Sequence, residues 1–135
     1  MLWLVVIVLI VIVGLKLLTL FSRASVGVNY TRRCTLDYQR YVREGLSSEE
    51  ALNKISREAY PTLSDEVHER IVYRYPDASR LGNFIFNALD MSQKHFLKHG
   101  RELRDREALA VLRHTKMDLA GRVSTDFRNV WSELD

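Results

Sequence analysis

Proline is scarce in this 135-residue chain, with Pro61 and Pro76 alone, and cysteine is reduced to Cys34. A lone cysteine excludes an internal disulfide framework and agrees with a reducing compartment. The sequence holds no glycine-rich phosphate loop, CxxC pair, Gly-x-Ser-x-Gly or haem-attachment motif. These absences weigh against the common enzyme classes, so the chain is expected to be non-catalytic and to carry no cofactor. No helix-turn-helix or base-stacking aromatic pattern points to nucleic acid. No polar side chain occurs from Leu2 to Leu15, and no basic residue precedes the apolar run.

That run, Leu2 to Phe21, reads LWLVVIVLIVIVGLKLLTLF. As an α-helix it extends roughly 30 Å, the thickness of a bilayer's hydrocarbon core. A secretory signal would need a basic start and an apolar run of about 7–15 residues, and only Ser22-Arg23-Ala24 imitates its cleavage site. A soluble core helix would carry an outward polar face. A retained transmembrane anchor fits best, with Leu2 and Trp3 at one end and Lys16 and Phe21 toward the other. At mid-helix a lysine costs about 2.5–3.5 kcal/mol, less than the summed gain from the surrounding Leu, Ile and Val. Lys16 lies five residues from Phe21, close enough to raise its ammonium to the interface.

Basic residues gather after the run, at Arg23, Arg32, Arg33, Arg40 and Arg43. The positive-inside rule then places the N-terminus outside and the remainder in the cytoplasm. Arg23, Arg32 and Arg33 are the expected contacts with anionic lipid headgroups.

Strand-like alternation is missing beyond the anchor, whereas helix starts and stops recur. The expected fold is all-α: a transmembrane helix over residues 1–21, a juxtamembrane linker over 22–34, and over 35–135 a small domain of four to five helices. A short helix over Thr35–Glu44 would end at Gly45. Ser47-Ser48-Glu49-Glu50 has the form of a capping box, followed by Leu52, Ile55 and Ala59 at helical spacing and a stop before Pro61. Ser64-Asp65-Glu66 opens another helix, ended by Pro76, and Asp77 caps the next. Leu81, Phe84, Ile85, Ala88 and Leu89 form its apolar face, with a stop at Gly100.

Arg101 to Asp135 contains no proline and spaces Leu109, Leu112, Leu119, Val123, Phe127, Val130 and Leu134 at three, four or seven residues. This predicts a long C-terminal helix with one apolar stripe, bent or broken at most at Gly121. Leu119, Val123, Phe127, Val130 and Trp131 are its candidate partner-binding residues, since tryptophan is enriched in interface hot spots. Six tyrosines are expected to be half-buried, with hydroxyls reaching water.

His95, His99 and Glu102 share a helical face and form the one candidate metal set, but Lys94, Lys98 and Arg101 surround it with like charge. The same basic stripe is interrupted by Glu102, Asp105 and Glu107, which disfavours nucleic acid as a partner. The expectation is a single-pass membrane protein acting as an accessory or docking subunit of a larger membrane complex, or self-associating through its last helix. An outward-facing envelope or lysis-type protein is the first alternative, and a metal-binding helical protein the second.

Overall fold

A computed structural model describes residues 1–20 and 26–135 in full, and residues 21–25 by their helical backbone alone. Seven α-helices are present among the described residues: α1 (Leu2–Arg43), α2 (Ser48–Ala59), α3 (Asp65–Arg74), α4 (Ala78–Phe84), α5 (Asp90–Lys98), α6 (Asp105–Arg113) and α7 (Phe127–Leu134). One π-helical turn, Ile85–Leu89, joins α4 to α5. Strands β1 (Thr115–Met117) and β2 (Val123–Thr125) make one antiparallel hairpin, with Thr115 opposite Thr125 and Met117 opposite Val123. Three quarters of the chain is helical, so the class is all-α as expected.

The linker expected over residues 22–34 is helical instead, and α1 runs for 42 residues. Its polar residues do not break it because their hydroxyls fold back on the preceding turn: Thr31 donates to the Gly27 carbonyl at 3.0 Å and Thr35 to the Thr31 carbonyl at 3.1 Å. Ser/Thr side chains in this geometry satisfy themselves without leaving the helix. Only at Gly45 does the backbone reverse, at φ +102°, with the Leu46 amide donating to the Tyr41 carbonyl at 3.1 Å. Left-handed geometry there favours glycine.

Most later boundaries coincide with side-chain caps. Ser47 Oγ accepts from the Glu50 amide at 3.2 Å, Asp77 Oδ1 from Ser79 at 3.0 Å, and Asp126 Oδ1 from Asn129 at 3.2 Å. Ser64 Oγ faces the Val67 amide at 3.5 Å, while the Ser64 amide donates to Asp105 Oδ1 at 2.9 Å and ties the start of α3 to the start of α6. Leu52, Ile71, Leu81, Phe84, Leu89, Val111 and Val130 fill the centre of one continuous core.

Arg101–Asp135 is not one long helix. The helix stops at Arg113, and Thr115 passes into the hairpin, where its hydroxyl pairs with Thr125 Oγ1 at 2.9 Å. Asp118 Oδ1 then accepts from the Arg122 amide at 2.8 Å, and Gly121 at φ +80° completes the reversal. The hairpin folds α7 back onto α6, where Arg113 and His114 both meet the Glu133 carboxylate. Hydrophobic spacing of three, four or seven residues thus serves two short helices and a strand pair here.

α4 sits on α1 at its closest where Gly82 faces it. A Cβ at Gly82 would lie 3.3 Å from Thr31 Cα and from Cys34 Cβ. Gly82→Leu should therefore force the helices apart and lower the urea midpoint by an amount equivalent to about 1–3 kcal/mol, with α-helical circular dichroism largely retained. An unchanged midpoint would show that the close approach contributes nothing.

His68 is 1% exposed, with Nδ1 2.7 Å from Ser56 Oγ and Nε2 without a partner among the described residues. Burial, reinforced by the Arg57 charge, holds its pKa below the ordinary histidine range. The unfolded chain then takes up this proton at a pH where the folded chain does not, so stability present above about pH 6.5 is lost as pH falls. Denaturation at pH 7 and pH 5 should show a larger loss for the native sequence than for His68→Leu. Parallel losses would remove His68 as a source of acid sensitivity.

Candidate functional site

The apolar half of α1 stands apart from the core: Leu2–Leu20 has a mean hydropathy of 2.9 and none of it is buried inside the fold. That overturns the core-helix reading and leaves a segment long and apolar enough to cross a membrane. Leu2 and Trp3 are about four-fifths exposed at its start. Phe21 and Arg23 fall among residues 21–25, whose side chains lie outside the described ones. Arg32 and Arg33 are both exposed on α1, and the unbroken helix sets them about 18–20 Å beyond Leu20 along its axis.

The five residues expected to form one docking stripe are separated by the fold. Leu119 is 98% exposed in the hairpin turn, whereas Val130 is 0% exposed and belongs to the core. Val123 and Trp131 are half-buried and pack against that core. Trp131 is also the hub of an aromatic cluster: it stacks on His95 at 4.0 Å between ring centroids, meets Phe96 edge-on at 5.5 Å and stacks on Phe127 at 5.6 Å. His95 and His99 do come together, at 4.9 Å between rings. Burial and then the positive charges of His99, Lys98 and Arg101 press the His95 pKa down. Among the described residues, no group of three or more His, Cys, Asp or Glu side chains is placed to hold a metal ion.

Sequence reasoning missed a cleft of about 490 Å³ between α1, the α2–α3 turn and the π-helical turn. Its walls include Tyr30, Tyr60, Ile85 and Phe86, and its rim carries Asp90 and Glu102. Tyr30 and Phe86 lie 5.8 Å apart between ring centroids. Phe86 also covers Gly27, where a Cβ would stand 3.0 Å from its ring. Burial raises the phenols of both tyrosines far above the ordinary range, with Cys34 next for Tyr30 and Asp90 next for Tyr60. Both therefore stay neutral at physiological pH. The one signal for this cleft in the sequence is the tyrosine count; a π-helical turn has no comparable mark, and residue pattern alone puts Tyr30 in a linker.

Gly27 is seven residues beyond Leu20, so the domain begins about 10 Å from the end of the apolar segment. Comparison with protein-family models, curated proteins and solved structures returns no match.

Trp131→Ala should destabilise the C-terminal segment by about 2–3 kcal/mol, because it removes the ring on which three others pack. Leu119→Ser should change stability by less than about 0.5 kcal/mol. Urea titration of both variants checks the contrast, and equal effects would contradict the packing described.

Proposed function

We propose that this chain is a single-pass membrane protein whose helical domain is a non-catalytic docking or accessory module of a larger membrane complex. The carrying observation is α1 itself: an apolar, unburied segment continues without a break into the helix on which α2 and α4 pack. A domain joined this way stays at the bilayer surface in one orientation. Confinement raises its effective concentration toward membrane neighbours, so a modest contact suffices for stable association.

The same continuity supports a retained anchor over a cleaved signal, since processing near Ala24 would cut a helix whose next turns pack into the domain. Residues that support a partner contact are Leu119, fully exposed, and Val123 and Phe127, half-exposed nearby in sequence. Val130 serves the core, and Trp131 mainly braces α7 against α5.

Cys34 is 4% exposed and is shielded from labelling, so topology is best read from a new thiol at exposed Ser132. A membrane-impermeant maleimide should label Ser132→Cys only after cells are permeabilised, on a product whose mass retains residues 1–21. Labelling on intact cells would favour the outward-facing reading. Loss of the first residues would turn the anchor into a signal. Gentle detergent purification should recover a membrane partner that Leu119→Ser with Phe127→Ala releases; recovery unchanged by these substitutions would move the contact elsewhere.

A further inference from the structure

The cleft beside the π-helical turn has a lining that selects one kind of ligand. Tyr30, Tyr60 and Phe86 contribute rings, Ala59, Pro61 and Ile85 contribute apolar surface, and Asp90 and Glu102 contribute carboxylates; among the described residues no Lys, Arg or His lines it. Aromatic faces are electron-rich and attract cations, most strongly where water is excluded. An anion would meet two carboxylates and no Lys, Arg or His in the lining. A bare metal ion would find too few ligands among the described residues, and apolar walls that cannot replace its hydration.

Asp90 already meets Lys94, with Oδ2 2.9 Å from Nζ, but the two side chains are 40% and 67% exposed. Such a pair contributes little and yields readily to a second cation. Glu102 has no ion-pair partner among the described residues. Phe86 and Asp90, four residues apart across the π-helical turn, share a helix face and line one cleft. A volume of about 490 Å³ lies within the range of small-molecule sites, well above the needs of a single water.

We infer that this cleft binds an organic ammonium group, methylated or primary, seated among Tyr30, Tyr60 and Phe86 and neutralised by Asp90 and Glu102. The group reaches it either as a free amine or as the headgroup of a choline or ethanolamine lipid. The inference stands apart from the docking role, because it concerns a face of the domain that none of the expected partner residues lines.

The test uses the full chain in uncharged detergent, with choline as the probe and saturation-transfer NMR of its methyl signal as the readout. Saturable transfer is expected, weakened roughly threefold to thirtyfold in Phe86→Ala and in Asp90→Asn. Tyr73→Ala, on an exposed ring outside the cleft, should leave it unchanged. Circular dichroism and the urea midpoint of each variant separate loss of binding from loss of fold. No transfer to choline, or equal transfer in well-folded Phe86→Ala and Asp90→Asn, would overturn the assignment. Nanodiscs distinguish the source: phosphatidylcholine discs should suppress free-choline transfer relative to phosphatidylglycerol discs if a lipid headgroup occupies the cleft. Equal transfer in both would assign the site to a free amine.

Discussion

Everything in this fold is referred to one backbone hydrogen-bond ladder, that of α1, which is uninterrupted from Leu2 to Arg43. A helix without proline or a left-handed residue resists bending, and sharp kinks arise only at defined lesions in the ladder. No proline and no left-handed residue interrupts it among the described residues, and the threonines at 19, 31 and 35 return their hydroxyls to carbonyls one turn back. Arg40 and Arg43 lie in the last turn, where cations complement the helix dipole. The apolar segment and the first wall of the domain are therefore one object.

α4 is held against that wall by absence of side-chain volume. Gly82 brings the α4 backbone close to Thr31 and Cys34, and Gly27 leaves room for the Phe86 ring. Between these contacts Thr31 Oγ1 lies 2.9 Å from Asn83 Oδ1, which shares the single hydroxyl proton with the Gly27 carbonyl, and Asn83 Nδ2 donates to the Gly121 carbonyl at 3.2 Å. The hairpin turn is thus linked to α1 through one asparagine. Buried polar groups are handled with similar economy: the Glu107 carboxylate, 3% exposed as a residue, accepts from the Arg104 amide at 3.1 Å and faces Arg101 at 3.4 Å. Removing Arg101, itself exposed, would leave the buried Glu107 carboxylate without its ion-pair partner.

Local chemistry was legible in the sequence and long-range geometry was not. Ser47, Ser64 and Asp77 stand out in the sequence as helix starts and do cap their helices, because a cap depends on residues three positions away at most. The core stripes of α2 and α4 are likewise evident from spacing. Two segments mislead. Residues 22–34 contain small and polar side chains that resemble a linker, yet threonine back-bonding and the seat for α4 make them helical. In Arg101–Asp135, Val123 and Val130 share a helical spacing, but one lies in a strand and the other in α7. Periodicity records which residues face the core and is silent on whether the chain turns between them. The aromatic cleft is invisible for the same reason, its rings coming from positions 30, 60 and 86.

A rigid join between the apolar segment and the domain has a consequence that a flexible tether lacks. With a flexible linker, effective concentration depends on linker length and every face of the domain samples the membrane surface. With α1 unbroken, height and rotation of the domain are set by the helix, about 1.5 Å and 100° per residue. Val28, Arg32 and Leu36, four residues apart and all exposed, then form an outward strip fixed in rotation relative to the apolar segment. Inserting a single residue between Leu20 and Gly27 would leave every contact within the domain intact while turning that strip by about 100°. For a domain that acts by position, register along α1 is as much a functional property as any side chain.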